Sequence, residues 1–320
     1  EEGGGVRPLL ACPQSRMQAG DFKHGAFGIK YMQKQIKSSK ASNHVINPLT
    51  SKELLGFLDE KSKDIIKYFI IKSLFSQPEP KVGQKQLPIQ IPKEHIEQWF
   101  TQSLDVKPVG AGSYPIDIYN EREKWGADIK MLNIKLTKNG DVTKGDSGEA
   151  SLGQKFEGPG INLDAMFKTK KYEDIKDQWV NLYIDKYKSL NKNYDVKKIY
   201  YFFILRPGTQ IDGADFYFTG AILDLKNIGK VKVNRNRSTN KSVFLDYFID
   251  TEYGNTKIYK AKKRLELRLK PKIWIENNMA LKITTSFTPS HINLRDINVG
   301  SEYLKKEIGK IKNIEVKFIE

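Results

Sequence analysis

Two aspartates and a lysine, Asp117, Asp128 and Lys130, have the types and the spacing for phosphoryl chemistry. Gly110-Ala111-Gly112-Ser113 marks a turn, after which Tyr114–Asn120 and Gly126–Leu136 read as the two strands of a β-hairpin. Residues 128 and 130 are two apart on the second strand, so their side chains leave the same face. With the turn centred on Arg122-Glu123, Asp117 stands opposite Asp128. Cross-strand partners have Cβ atoms about 4.5–5.5 Å apart, and facing carboxylates repel unless a positive charge lies between them. A hard divalent cation suits that place; Mg²⁺ takes one or two carboxylates together with waters and phosphate oxygens. Lys130, on the same face, is placed to orient a water and to balance charge on a phosphorus centre. Hydrolysis of a phosphodiester is the chemistry this set implies.

An acid two residues before a lysine recurs along so basic a chain, so context has to choose among the triplets. Asp59–Lys61, Glu79–Lys81, Asp105–Lys107 and Asp174–Lys176 fall on helices or loops. Asp195–Lys197 and Glu315–Lys317 have no acid upstream on a paired strand. Asp224–Lys226 ends an apolar strand, but its upstream acid, Asp215, belongs to the same strand and lies far from it. The competing reading of 117–130 is a solvated hairpin whose acids pair with Arg122, Lys124 and Lys130, an arrangement worth little to stability. Ile116, Ile118, Ala127, Ile129, Met131 and Leu132 argue instead for buried strands, which leave few places for charges without a task.

Pro115-Ile116-Asp117, followed eleven positions later by Asp128-Ile129-Lys130 and apolar Met131-Leu132, resembles the PD-(D/E)xK nuclease superfamily, and within it the type II restriction endonucleases. The resemblance covers residues 112–132, and Ile116 interrupts the PD dipeptide. It implies that Asp117 and Asp128 bind Mg²⁺ and that Lys130 assists the attacking water. An additional acid on an upstream helix would be Glu97, or Glu94. The implied fold is α/β, a restriction-endonuclease-like mixed central β-sheet flanked by helices. The implied activity is site-specific cleavage of double-stranded DNA by a homodimer. Two other readings are a repair or structure-specific nuclease using the same residues, and a DNA-binding protein whose acids are structural.

The elements that must position this site follow from periodicity. Residues 1–50 show no sustained period. Leu54 to Leu74 carry apolar residues at helical spacing, ended by Gln77-Pro78-Glu79-Pro80. Pro92 opens a short helix with Ile96, Trp99 and Phe100 on one face. Residues 138–160 read as a loop, and Asn162 or Asp164 caps a long helix to about Leu190. Ile199–Leu205 and Phe216–Leu225 are strand-like, as are Lys230–Val233, Val243–Ile249, Lys257–Tyr259, Leu265–Leu269, Ile273–Ile275 and Leu281–Thr285. Glu252–Asn255 signals a hairpin turn; a helix over Glu302–Ile311 and a strand over Ile314–Phe318 close the chain. The expected division is an irregular and helical region (1–90), a catalytic core (91–225) and a β-rich DNA-recognition region (226–320).

Composition bounds the partners. The 320 residues carry a formal net charge of +16, which favours a polyanion, although Lys-, Ile- and Asn-rich chains are also basic by composition alone. Arg235, Asn236, Arg237, Asn240 and Lys241 form a basic loop with the side chains that read guanine and adenine edges. Gln154 and Lys155 are candidates for polar contacts over the scissile phosphate. Lys260, Lys262, Lys263, Arg264, Arg268, Lys270 and Lys272 are candidates for phosphate contacts. The single Cys12 excludes an intramolecular disulfide and a cysteine zinc site, and fits a cytoplasmic setting. Glu1–Gly5 do not read as a secretory signal, and no apolar run is long enough to span a membrane. His24, His44, His95 and His291 show neither HxH nor HExxH spacing, and the absence of a GxxxxGK[ST] loop speaks against a nucleotide cofactor.

Overall fold

Helices begin where the sequence supplies caps. In the computed structural model, which describes residues 42–85, 89–109, 114–153, 162–208, 215–285 and 290–310, Thr50 and Glu53 form a reciprocal capping box on α1 (Ser51–Leu55). Asp59 caps α2 (Glu60–Phe75), accepting from Ser62 N at 2.7 Å. Ser62, Ile66, Ile70 and Leu74, four residues apart, are the buried stripe of α2. Pro92 precedes α3 (Lys93–Leu104), and Asp105 ends it in the left-handed conformation, φ 50°.

The long helix expected over 162–190 is two helices, α4 (Leu163–Lys168) and α5 (Tyr172–Asn193). Asn162 caps the first, accepting from Ala165 N at 2.9 Å. Lys170, at φ 55°, breaks the helical path between them. The strand expected over Ile273–Ile275 is a helical turn, α6 (Pro271–Glu276). Proline at its first turn has no N–H to give a ladder, and Trp274 is wholly buried there. A last helix, α7, spans Val299–Lys310; the strand expected over Ile314–Phe318 lies outside the described residues.

The architecture is mixed α/β, with a mixed central sheet flanked by helices. Its order is β1 (Ile46–Pro48), β7 (Phe216–Leu223), β6 (Lys198–Pro207), β4 (Trp125–Ile134), β3 (Ile118–Asn120), β2 (Lys107–Pro108). β4 and β6 run parallel over ten residue pairs, joined through α5; the other neighbours are antiparallel. β7 carries a composite edge: β1 pairs with Ala221–Leu223, and β12 (Ala280–Ile283) pairs with Phe216–Thr219. Ser51 joins the two segments, its N–H and hydroxyl donating to Asn278 O and its hydroxyl also to Ala280 O. Neither β1 nor β5 (Ala150–Ser151) was expected; both are too short to show a period of two.

A second, antiparallel sheet has the order β5, β11 (Arg264–Leu269), β10 (Gly254–Tyr259), β9 (Ser242–Asp246), β8 (Lys232–Asn234). The first sheet separates two cores. α1, α2 and α3 cover one face, where Leu54, Ile70, Trp99, Phe100, Phe202 and Phe218 pack. α5 and the second sheet cover the other, with Tyr183, Phe203, Phe248, Leu267 and Trp274. Residues 43–320 cluster as one unit, so strands from both sides of the 91–225 interval belong to its sheet.

Candidate active site

The β3–β4 hairpin turns through Glu121–Lys124. Asn120 Oδ1 accepts from Glu123 N at 2.9 Å, and Lys124 takes φ 60°. Ile118 pairs with Ala127 and Asn120 with Trp125, and Asp117 N donates to Ala127 O at 2.8 Å. The ladder ends there, and beyond it the Asp117 and Asp128 side chains meet in a hydrogen bond. Gly126 permits the close approach: a Cβ there would lie 2.6 Å from Ile116 Cδ1. Ile118, Ala127 and Ile129 point into the core under α1–α3, so Asp117, Asp128 and Lys130 emerge together on the face toward α5.

Each of the three is held differently. Ile129 N donates to Asp117 Oδ2 at 2.7 Å, so the side chain continues the ladder where the backbone carbonyl would have served. Asp128 is 6% exposed and lies in a hydrogen bond with the Asp117 carboxyl. Lys130 Nζ donates to Asp128 Oδ1. Burial pushes the Asp128 carboxyl up to about 6, against 3.8 for a free side chain; the Lys130 ammonium lowers it and the Asp117 charge raises it again. Burial dominates, so an acid and a lysine that look like an ordinary ion pair hold a carboxyl that changes charge near neutral pH.

Beside Asp128 lies a cluster of three buried tyrosines. Tyr201 is the register partner of Asp128 on β6. Its hydroxyl lies 2.6 Å from that of Tyr183 and 2.7 Å from that of Tyr187, both on α5. All three are buried, and burial raises each phenol, with the Asp128 charge adding to the shift. Three hydroxyls carry three protons, and two bonds between them use two, leaving one to give elsewhere. The available signal was Tyr183 and Tyr187 at four-residue spacing on one helical face.

The other expected site residues are dispersed. Glu97 is half-buried on α3, whose apolar side packs on the opposite face of the sheet from Asp117 and Asp128. Among the described residues no three His, Cys, Asp or Glu side chains gather as a metal group. The Glu94 side chain, Gln154, Lys155, Cys12 and the 110–113 turn lie outside the described residues. Arg235, Asn236, Arg237, Asn240 and Lys241 are exposed in the β8–β9 loop, where Arg235 also lies 3.6 Å from Glu173. Of the expected phosphate contacts, Lys262, Arg264 and Arg268 converge on Glu149, and Lys260 pairs with Asp164.

Asp224, the rival to Asp128, caps a 3-10 helix (Leu225–Lys230), accepting from Lys226 N and Asn227 Nδ2 at 3.1 Å. Asp215 lies at the far end of β7 and pairs with Lys282 at 2.7 Å. Asp224→Ala is therefore expected to cost about 1 kcal/mol in urea denaturation and to leave catalysis untouched. Loss of DNA cleavage in a folded Asp224→Ala chain would move the site away from the hairpin.

Comparison with protein-family models, curated proteins and solved structures gave no match. Among the described residues, no helix is long and apolar enough to cross a membrane.

Proposed function

We propose that this chain is a Mg²⁺-dependent nuclease of the PD-(D/E)xK kind, a type II restriction endonuclease cutting double-stranded DNA at a specific sequence. The observation that carries the reading is the meeting of the Asp117 and Asp128 carboxyls across the hairpin with Lys130 on the same face. The donor set suits the ion: two carboxylates, with no third acid or histidine gathered beside them among the described residues, leave places for water and phosphate oxygen, as Mg²⁺ requires. Asp117 and Asp128 would hold it. When bound, Mg²⁺ supplies polarisation of a phosphoryl oxygen and a more acidic water.

The chain's own residues do the rest. Asp117, fixed by the Ile129 N–H, presents its second oxygen to the site. Lys130 exchanges its bond to Asp128 for the attacking water and the oxygens of the phosphorus centre. The buried flank of tyrosines and aliphatic side chains keeps bulk water from Asp128 and strengthens each charge interaction. Cutting both strands of a duplex needs two such sites, so a homodimer acting in the cytoplasm is the proposed working form.

The direct Lys130–Asp128 ion pair favours a second reading, in which the lysine merely neutralises a buried acid in a DNA-binding protein without catalysis. Phage DNA incubated with Mg²⁺ or with EDTA and read on a gel separates them. Discrete bands that vanish in EDTA are the expected result. A smear would indicate a structure-directed or non-specific nuclease, and intact DNA under every divalent metal would leave the non-catalytic reading.

A further inference from the structure

Ten of the sixteen surplus positive charges fall within residues 226–272, which hold fourteen lysines and arginines against four acids. A chain that is basic through composition alone spreads its charge; here the surplus concentrates on the second sheet. Val243, Leu245, Ile258, Leu265 and Leu267 turn one face of that sheet into the core. The alternate positions point outward, among them Lys232, Phe244, Lys257 and Tyr259.

The outward cations fall into two groups. At the β11 side, Glu149 accepts from Arg264 Nη2 at 2.5 Å, from Arg268 Nη2 at 3.1 Å and from Lys262. Buried Glu266 takes Arg264 Nε at 3.2 Å. Those three cations are held by two carboxylates inside the molecule, which offset most of their charge. On β8–β10, by contrast, no carboxylate among the described residues forms an ion pair with Lys232, Arg237 or Lys257; aromatic rings hold them. The Arg237 guanidinium lies 4.3 Å from the Phe244 ring centre. Lys257 Nζ lies 4.8 Å from that of Tyr259 and 5.8 Å from that of Phe244, and Lys232 Nζ is 5.7 Å from that of Tyr247. Register aligns Asn234, Phe244 and Lys257 in one row across three strands. A carboxylate would fix a cation and cancel it; a ring fixes it and leaves the charge to an outside partner.

We infer that the outward face of β8–β10, through Lys232, Arg237 and Lys257, is a binding surface for the phosphodiester backbone of nucleic acid, independent of base sequence. A linear polyanion matches ring-held cations spread over one face of the sheet and its β8–β9 loop, whereas base edges would call for donors and acceptors in pairs. This deepens the nuclease reading by naming where the substrate is gripped apart from the acids, and it rests on that reading only for its biological use.

The test uses the full chain in EDTA, so that cleavage does not enter. Binding of a labelled duplex of arbitrary sequence is followed by anisotropy across a salt series, for the wild type and for the triple variant Lys232→Gln, Arg237→Gln, Lys257→Gln. Glutamine keeps a stem over each ring, and an unchanged thermal midpoint verifies the fold. Three lost phosphate contacts should make the log–log salt slope shallower by about 2.7 on duplex and about 2 on single strand, with at least a ten-fold weaker Kd at ~0.1 M salt. A control triple on the helical face, Lys52→Gln, Lys61→Gln, Lys67→Gln, should bind as the wild type.

An unchanged slope, an equal loss in the control, or displacement by poly-glutamate as effective as by DNA would each overturn the assignment. A wild type that never cleaves DNA but loses binding in the first triple refutes the nuclease and keeps the surface. Cleavage with undiminished binding in that triple does the reverse.

Discussion

Lys130→Ala is expected to fold, to bind DNA as the wild type does, and to cleave it about 10²–10³-fold more slowly, the loss typical of removing one preorganised donor at a developing negative charge. Single-turnover cleavage in Mg²⁺ gives the rate; near-UV circular dichroism and anisotropy in EDTA report fold and binding. The lysine is 17% exposed at its side chain and touches Asp128 directly, so its loss also removes the charge that lowers that carboxyl. Residual cleavage should then rise at higher pH than in the wild type. Full-speed cleavage by the folded variant would exclude Lys130 from the chemistry. A variant that fails to fold would favour the structural ion pair instead.

Asp128→Asn should give the opposite signs for activity and stability. In the metal-free fold the Asp128 carboxyl is pushed up to about 6, against 3.8 for the free side chain. Between these values the folded chain keeps a proton that the unfolded chain releases. The contribution is therefore complete below pH 3.8 and is lost as pH rises through 6. By pH 7.5 the loss is on the order of 3 kcal/mol. Asparagine stays neutral at every pH, so in EDTA the variant should equal the wild type near pH 4 and exceed it by roughly that amount at pH 7.5, measured by urea denaturation. Cleavage should be lost entirely. A stability gap that ignores pH, or a variant less stable at pH 7.5, would mean that Asp128 is stabilised as an anion by its surroundings.

How far the site was legible in the sequence follows from which features are local. The facing of Asp117 and Asp128 needed only a hairpin with a four-residue turn, and its register came from alternation of apolar residues on both strands. The spacing of Asp215 and Asp224 also showed that they flank opposite ends of one strand. The depth of burial that dominates Asp128 was not legible, because it depends on α5 returning over β4 and β6 with Tyr183 and Tyr187. Glu97 shows the same limit from the other side: a helix placed correctly along the chain packs on the far face of the sheet, a choice made by tertiary contacts. The run at 273–275 was apolar enough for a strand, but Pro271 made it a helical turn. The engagement of Lys262, Arg264 and Arg268 by Glu149 joins positions more than a hundred residues apart, and periodicity carries no trace of it.

The composite edge of β7 bears on how this molecule comes into being. Its two halves are contributed by residues 46–48 and 280–283, so that side of the sheet closes only when segments separated by most of the chain meet. Pairings so distant in sequence are entropically late, and they slow a chain's arrival at its final state. During synthesis, residues 216–219 exist for some time with no neighbour on that side, their N–H and C=O groups bare along Phe216-Tyr217-Phe218-Thr219. An apolar strand in that condition pairs readily with another copy of itself. A chain ended before residue 280 would keep the β3–β4 hairpin and yet be prone to precipitate, because the segment that shields β7 would never emerge.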